Sequence, residues 1–166
     1  MVGLVAGLAL GGCGPRSAGP SAERHDRATS TTQPKPAAAS DQNALAAAGR
    51  VAVRYALAAR SWTPASYRAQ YRRQLRLSTG SLRAAVHRGA PTRDQLAAYD
   101  EDGAQVEATA VAASRLLQTT TQSRYVIVLD ERSVAASQTG RGRFTYLVEL
   151  QRRGDAWLVT AFSIRP

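Results

Sequence analysis

From residue 41 onward, large apolar side chains first recur every three to four positions and later every two. Leu45, Ala48, Ala52, Tyr55 and Ala59, with Val51 beside them, make one helical stripe through Ala-rich sequence, and Asp41 stands where an N-cap belongs, so a helix is expected from about Gln42 to Arg60. Trp62-Thr63-Pro64 interrupts it. Thr63, ahead of a proline at the first helical position, restarts a helix carrying Tyr67, Tyr71 and Leu75. Another helix is expected from Ser81 to His87, and Pro91-Thr92-Arg93-Asp94 opens a turn or short helix towards Tyr99.

Past Asp100-Glu101-Asp102-Gly103 the period falls to two. Val106, Ala108, Ala110 and Ala112 alternate with Glu107, Thr109 and Val111; Tyr125-Val126-Ile127-Val128-Leu129 is β-branched and aromatic; and Phe144, Tyr146, Val148 and Leu150 share a face. Arg153-Gly154-Asp155-Ala156 signals a hairpin. Centred there, the hairpin pairs Arg152 with Trp157, Leu150 with Val159 and Val148 with Ala161 on one face, and Leu147 with Phe162 on the other. The glycines of Thr139-Gly140-Arg141-Gly142-Arg143 are read as a loop between strands. Helices followed by a four-stranded antiparallel sheet define an α+β fold, with N-terminal helices on a curved sheet.

The first 40 residues have a different character. Val2 to Leu10 is an uncharged, apolar run, too short to span a bilayer and long enough for the core of a secretory signal. It leads into Leu10-Gly11-Gly12-Cys13, which resembles the lipobox of bacterial lipoproteins. That resemblance implies acylation of Cys13 and a membrane-anchored chain facing away from the cytoplasm. Residues 14–40 hold four of the seven prolines, many Ser and Thr and almost nothing large and apolar, so they read as a disordered tether. The expected division is residues 1–13 as signal and lipobox, 14–40 as tether and 41–166 as the folded domain.

The order of elements over residues 41–166, together with the ending Gly154-Asp155-Ala156-Trp157-Leu158-Val159-Thr160-Ala161-Phe162, resembles the NTF2-like, cystatin-related superfamily. Within it the chain is similar to small membrane-tethered actinobacterial proteins that accompany conjugation and lipid-import machinery. The resemblance implies a cone of helices and sheet, and a sheet through which members of the superfamily commonly dimerise. It does not choose an activity, because this fold hosts enzymes, binding proteins and scaffolds.

Composition narrows the chemistry. A single cysteine excludes a disulfide framework, a Cys-rich zinc site and a CxxC redox pair. The formal charge is +10, and Lys35 is the only lysine among 22 basic residues. The richest basic cluster is Arg68, Arg72, Arg73 and Arg76, in which positions 68, 72 and 76 fall on one helical stripe beside Tyr67 and Tyr71. That stripe suits anionic lipid headgroups or an acidic partner protein, and nucleic acid less well for an exported chain.

Catalytic members of the superfamily place an Asp/His or Tyr/Asp pair inside the cone. Here His87 is the only histidine of residues 41–166, lies beside Arg88 and has no preferred carboxylate, so no catalytic set is assigned. Asp100-Glu101-Asp102 lacks the ligand spacing of a calcium loop, and no metal or cofactor is expected. The reading is a non-enzymatic, lipid-anchored extracytoplasmic scaffold or accessory subunit of a cell-envelope complex. The alternative is a small-molecule-binding protein or enzyme that uses the cone pocket.

Overall fold

The computed structural model describes residues 39–136 and 138–165, with side chains from Ala46 onward. Cys13 and the expected signal and tether up to residue 38 lie outside the described residues. Helix α1 covers Ala39–Arg60, so Asp41 lies within it and does not cap it. Helices α2 (Tyr67–Leu77), α3 (Gly80–Arg88) and α4 (Arg93–Glu101) follow, then strands β1 (Gln105–Gln118), β2 (Gln122–Ala135), β3 (Gln138–Arg153) and β4 (Ala156–Arg165). The four strands form one antiparallel sheet in chain order. The α+β arrangement of N-terminal helices and a four-stranded meander is as expected.

Helix α1 lies against all four strands. Its buried stripe, Ala48, Val51, Ala52, Tyr55 and Ala56, packs on Tyr125, Ile127, Leu129, Tyr146, Val148, Leu150, Trp157 and Val159. The alanines let the helix approach closely, and Tyr55 fills the space between it and the sheet with its ring edge-on to Phe162 at 5.4 Å. Trp157 is buried, as its place one residue past the turn predicts.

Local chemistry sets each boundary. Before α2, Pro64–Ser66 form a turn and not yet helix: the Thr63 and Ser66 backbone N–H groups donate to each other's hydroxyls at 2.8 and 3.1 Å. Thr92 caps α4 in a reciprocal capping box with Gln95. Gly103 and Gly154 adopt φ of +61° and +58° at the turns into β1 and β4, which side chains with a Cβ rarely tolerate.

Three strand expectations change. Gly140 and Gly142 lie inside β3, opposite Ser133 and Glu131, and not in a loop. A Cβ at Gly142 would stand 2.8 Å from the Phe144 ring, and one at Gly140 would stand 2.8 Å from Ser133 Oγ, so glycine answers to crowding there and not to a turn. In the last hairpin Arg152 pairs with Trp157 and Leu150 with Val159, but a bulge then puts Val148 opposite Phe162 and Leu147 opposite Ser163. Thr160 takes the extra position, its hydroxyl donating to the Glu149 carbonyl at 3.3 Å. The slip turns Phe162 onto the helix-covered face, where it stacks on Tyr146 at 4.9 Å. In β1 a bulge at Val111 likewise moves Ala112 off the face shared by Ala108 and Ala110, and a second bulge follows at Leu116.

Candidate functional site

Helix α2 is fixed at both ends to opposite edges of the sheet. Before it, Trp62 exchanges backbone hydrogen bonds with Val106 on β1 at 2.8 and 2.9 Å. After it, the Thr79 N–H donates to the Val159 carbonyl on β4 at 3.0 Å, while the buried Ser78 hydroxyl closes the helix on the Gln74 carbonyl. An eleven-residue helix is about 16 Å long and the outer strands of a four-stranded sheet are about 14 Å apart, so α2 has the length to cross the sheet. Gln74 Nε2, donating to the Ala58 carbonyl at 2.9 Å, ties its middle to α1.

This placement decides which way the arginines point. Gln70, Gln74, Leu75 and Leu77 are half-buried, whereas Arg68, Arg72, Arg73 and Arg76 are all exposed. None of the four takes part in an ion pair among the described residues. Tyr67 and Tyr71 run alongside as a stacked pair with centroids 6.4 Å apart, and Tyr67 also meets Trp62 edge-on at 6.0 Å. Burial raises the Tyr67 pKa. The result is a rigidly mounted cationic ridge about 12 Å long between Arg68 and Arg76, backed by aromatic rings.

Inside the cone the structure brings together a cluster that the sequence reading did not single out. Glu131 is buried on β2 and accepts from Arg60 Nη2 at 2.8 Å, Arg60 Nε at 3.0 Å and Tyr146 Oη at 2.6 Å. The Arg60 guanidinium also lies 5.7 Å from the Tyr146 ring centroid. Burial, then the hydrogen bond to Glu131, pushes the Tyr146 hydroxyl up to about 12. Both carboxylate oxygens are engaged, so the Glu/Tyr pair here is a strut joining the end of α1 to β2 and β3. The strand phase carried the signal: Tyr125, Ile127, Leu129 and Glu131 alternate onto one face.

The other candidates stay apart. His87 is exposed near the end of α3, and Asp100, Glu101 and Asp102 are exposed at the end of α4. Among the described residues no group of three His, Cys, Asp or Glu side chains is placed to hold a metal ion. No described helix is long and apolar enough to cross a membrane.

An N-terminal helical layer with its long first helix across an open four-stranded antiparallel sheet is an α+β fold of the NTF2-like kind. Solved structures of the same fold include the periplasmic domain of DotI, at 16% identity and TM-score 0.55 over 73% of this chain and 94% of that one. An IcmL-like type IV secretion system protein from Legionella pneumophila matches at 11% identity and TM-score 0.54, covering 70% of this chain and 91% of its own. VirB8 of Agrobacterium tumefaciens matches at 10% identity and TM-score 0.53, over 79% of this chain and 96% of its own. No family model and no curated protein sequence matches the chain.

Proposed function

We propose that this chain is a non-enzymatic, extracytoplasmic subunit of a cell-envelope complex, held at the membrane by a lipid on Cys13, with α2 as its outward contact ridge. The observation that carries the reading is the shared fold with the DotI periplasmic domain and the IcmL-like secretion protein over 70–73% of the chain. The lipobox-like Leu10-Gly11-Gly12-Cys13 supports the anchor. Where α1 crosses the middle of the sheet, Tyr55, Ile127, Leu129 and Val148 are fully buried and occupy the volume an enclosed ligand would need, which supports a scaffold over an enzyme with an enclosed pocket.

Arg68, Arg72, Arg73 and Arg76 then face either anionic headgroups near the anchor or an acidic partner. Two copies meeting through the sheet would use the face away from α1, where Val126, Val128 and Leu147 are half-buried, and not the β1 edge, which bulges interrupt. The anchor is tested by labelling cells with a palmitate analogue. Label on the full chain and none on Cys13→Ser is expected; equal label on both would remove the lipid from the account.

A further inference from the structure

A trough of about 820 Å³ opens between the middle of α1, from Ala46 to Arg54, and the second half of β1. Its floor is apolar and shallow: Ala46, Gly49 and Val53 on the helix, Ala113 on β1 and the Tyr125 ring on β2. Gly49 permits this closeness, since a Cβ there would already stand 3.3 Å from the Tyr125 ring. The rims are cationic. Arg50 and Arg54, one helical turn apart, line one side and Arg115 the other; all three are exposed. Among the described residues no acidic side chain lines the trough and none of the three arginines is in an ion pair, while Arg115 Nη1 donates to Gln118 Oε1 at 3.0 Å.

Resting on the reading of this domain as a complex subunit, we infer that the trough receives an acidic amphipathic helix of a partner protein. The small side chains of the floor let a second helix lie close. An apolar stripe would cover Val53, Ala113 and Tyr125, and carboxylates on both flanks would meet Arg50 and Arg54 on one side and Arg115 on the other. From Ala46 to Arg54 the helical wall runs about 12 Å, enough for two turns of such a helix. The chain's own residues 14–40 do not complement it, since they carry Arg16, Arg24, Arg27 and Lys35 against only Glu23 and Asp26. A trough open to solvent along its length also suits an elongated element better than an enclosed small molecule.

The probe is a labelled 14-residue helical peptide with a Leu/Ala stripe flanked on both sides by Glu, compared with the same peptide carrying Gln for Glu, and binding to the full chain is read by fluorescence anisotropy. The Glu peptide is expected to bind, with the Gln peptide about tenfold weaker, as the loss of a few exposed charge pairs implies. Arg50→Gln/Arg54→Gln/Arg115→Gln should weaken the Glu peptide by a similar factor. Ala113→Leu, which keeps every charge and fills the floor, should weaken both peptides. Arg83→Gln/Arg88→Gln/Arg93→Gln, at exposed arginines of α3 and α4 outside both the trough and the α2 ridge, should leave binding within about twofold. Equal affinity of the two peptides, equal affinity of wild type and the trough triple variant, or displacement of the peptide by anionic vesicles through the same three arginines would overturn the inference. Failure of the subunit reading shows elsewhere, as a chain recovered from membranes without partners while the peptide still binds.

Discussion

Removing Arg60 tests the strut that joins the end of α1 to β2 and β3. Arg60→Ala leaves Glu131, whose side chain is 5% exposed, with Tyr146 as its only remaining hydrogen-bond partner of the present pair. Breaking one partner out of a buried ion pair costs about 3–5 kcal/mol. Here the Arg60 side chain is 40% exposed, so water reaches the vacated position and the expected loss falls to about 2–3 kcal/mol. That is a sizeable part of the roughly 5–15 kcal/mol a domain of this size holds, and corresponds to a melting temperature lower by about 10 °C. Urea unfolding of both proteins at neutral pH reads the loss directly. Arg60→Met/Glu131→Gln, which removes both charges and keeps an acceptor for Tyr146, should recover more than half of the loss. A single variant within about 0.5 kcal/mol of wild type at neutral pH would refute this account of the strut.

Trp157→Ala should cost about 3–5 kcal/mol in chemical denaturation, because it empties a buried position on the face of Val159; a change under 1 kcal/mol would contradict that packing. In a Cys13→Ser background, Arg68→Gln/Arg72→Gln/Arg76→Gln should leave the melting temperature nearly unchanged while removing most of the chain's cosedimentation with anionic vesicles at low salt, and equal binding with and without the three arginines would return the ridge to a merely solvated face. Burial pushes the Tyr55 and Tyr146 hydroxyls up to about 12, so their contribution to stability is complete below the unfolded value of 10 and is lost as pH rises from about 10 to 12. Tyr146→Phe should flatten that alkaline slope, measured as unfolding free energy against pH, while losing stability at neutral pH with its hydrogen bond to Glu131.

Helix α1, the order of elements and the place of Trp157 were legible because each rests on periodicity over many residues. The same holds for the exposure of Arg68, Arg72 and Arg76, whose spacing already separates them from Gln70 and Gln74. The bulges were not legible. Thr160, Val111 and Leu116 are ordinary strand residues, and only the pull of Phe162 towards the core reveals why β4 slips by one. Gly140 and Gly142 misled for the opposite reason: glycine marks turns locally but here answers to Ser133 Oγ and the Phe144 ring. The trough joins Gly49 to Ala113 and Arg115 across more than sixty residues of sequence, a juxtaposition that no local pattern encodes. Glu131 was within reach, since a carboxylate in phase with Tyr125, Ile127 and Leu129 needs a partner, and Arg60 closes the facing helix.

The central claim is that this 17.7 kDa chain works as part of an envelope assembly, and its size in the membrane tests that most directly. The full chain, crosslinked in cells and extracted from membranes in mild detergent, should migrate on a native gel as a discrete complex several times heavier than the chain itself. Cys13→Ser should release it from the membrane fraction. A wild-type chain that runs as a free monomer after crosslinking, or that fractionates with the cytoplasm, would contradict the account.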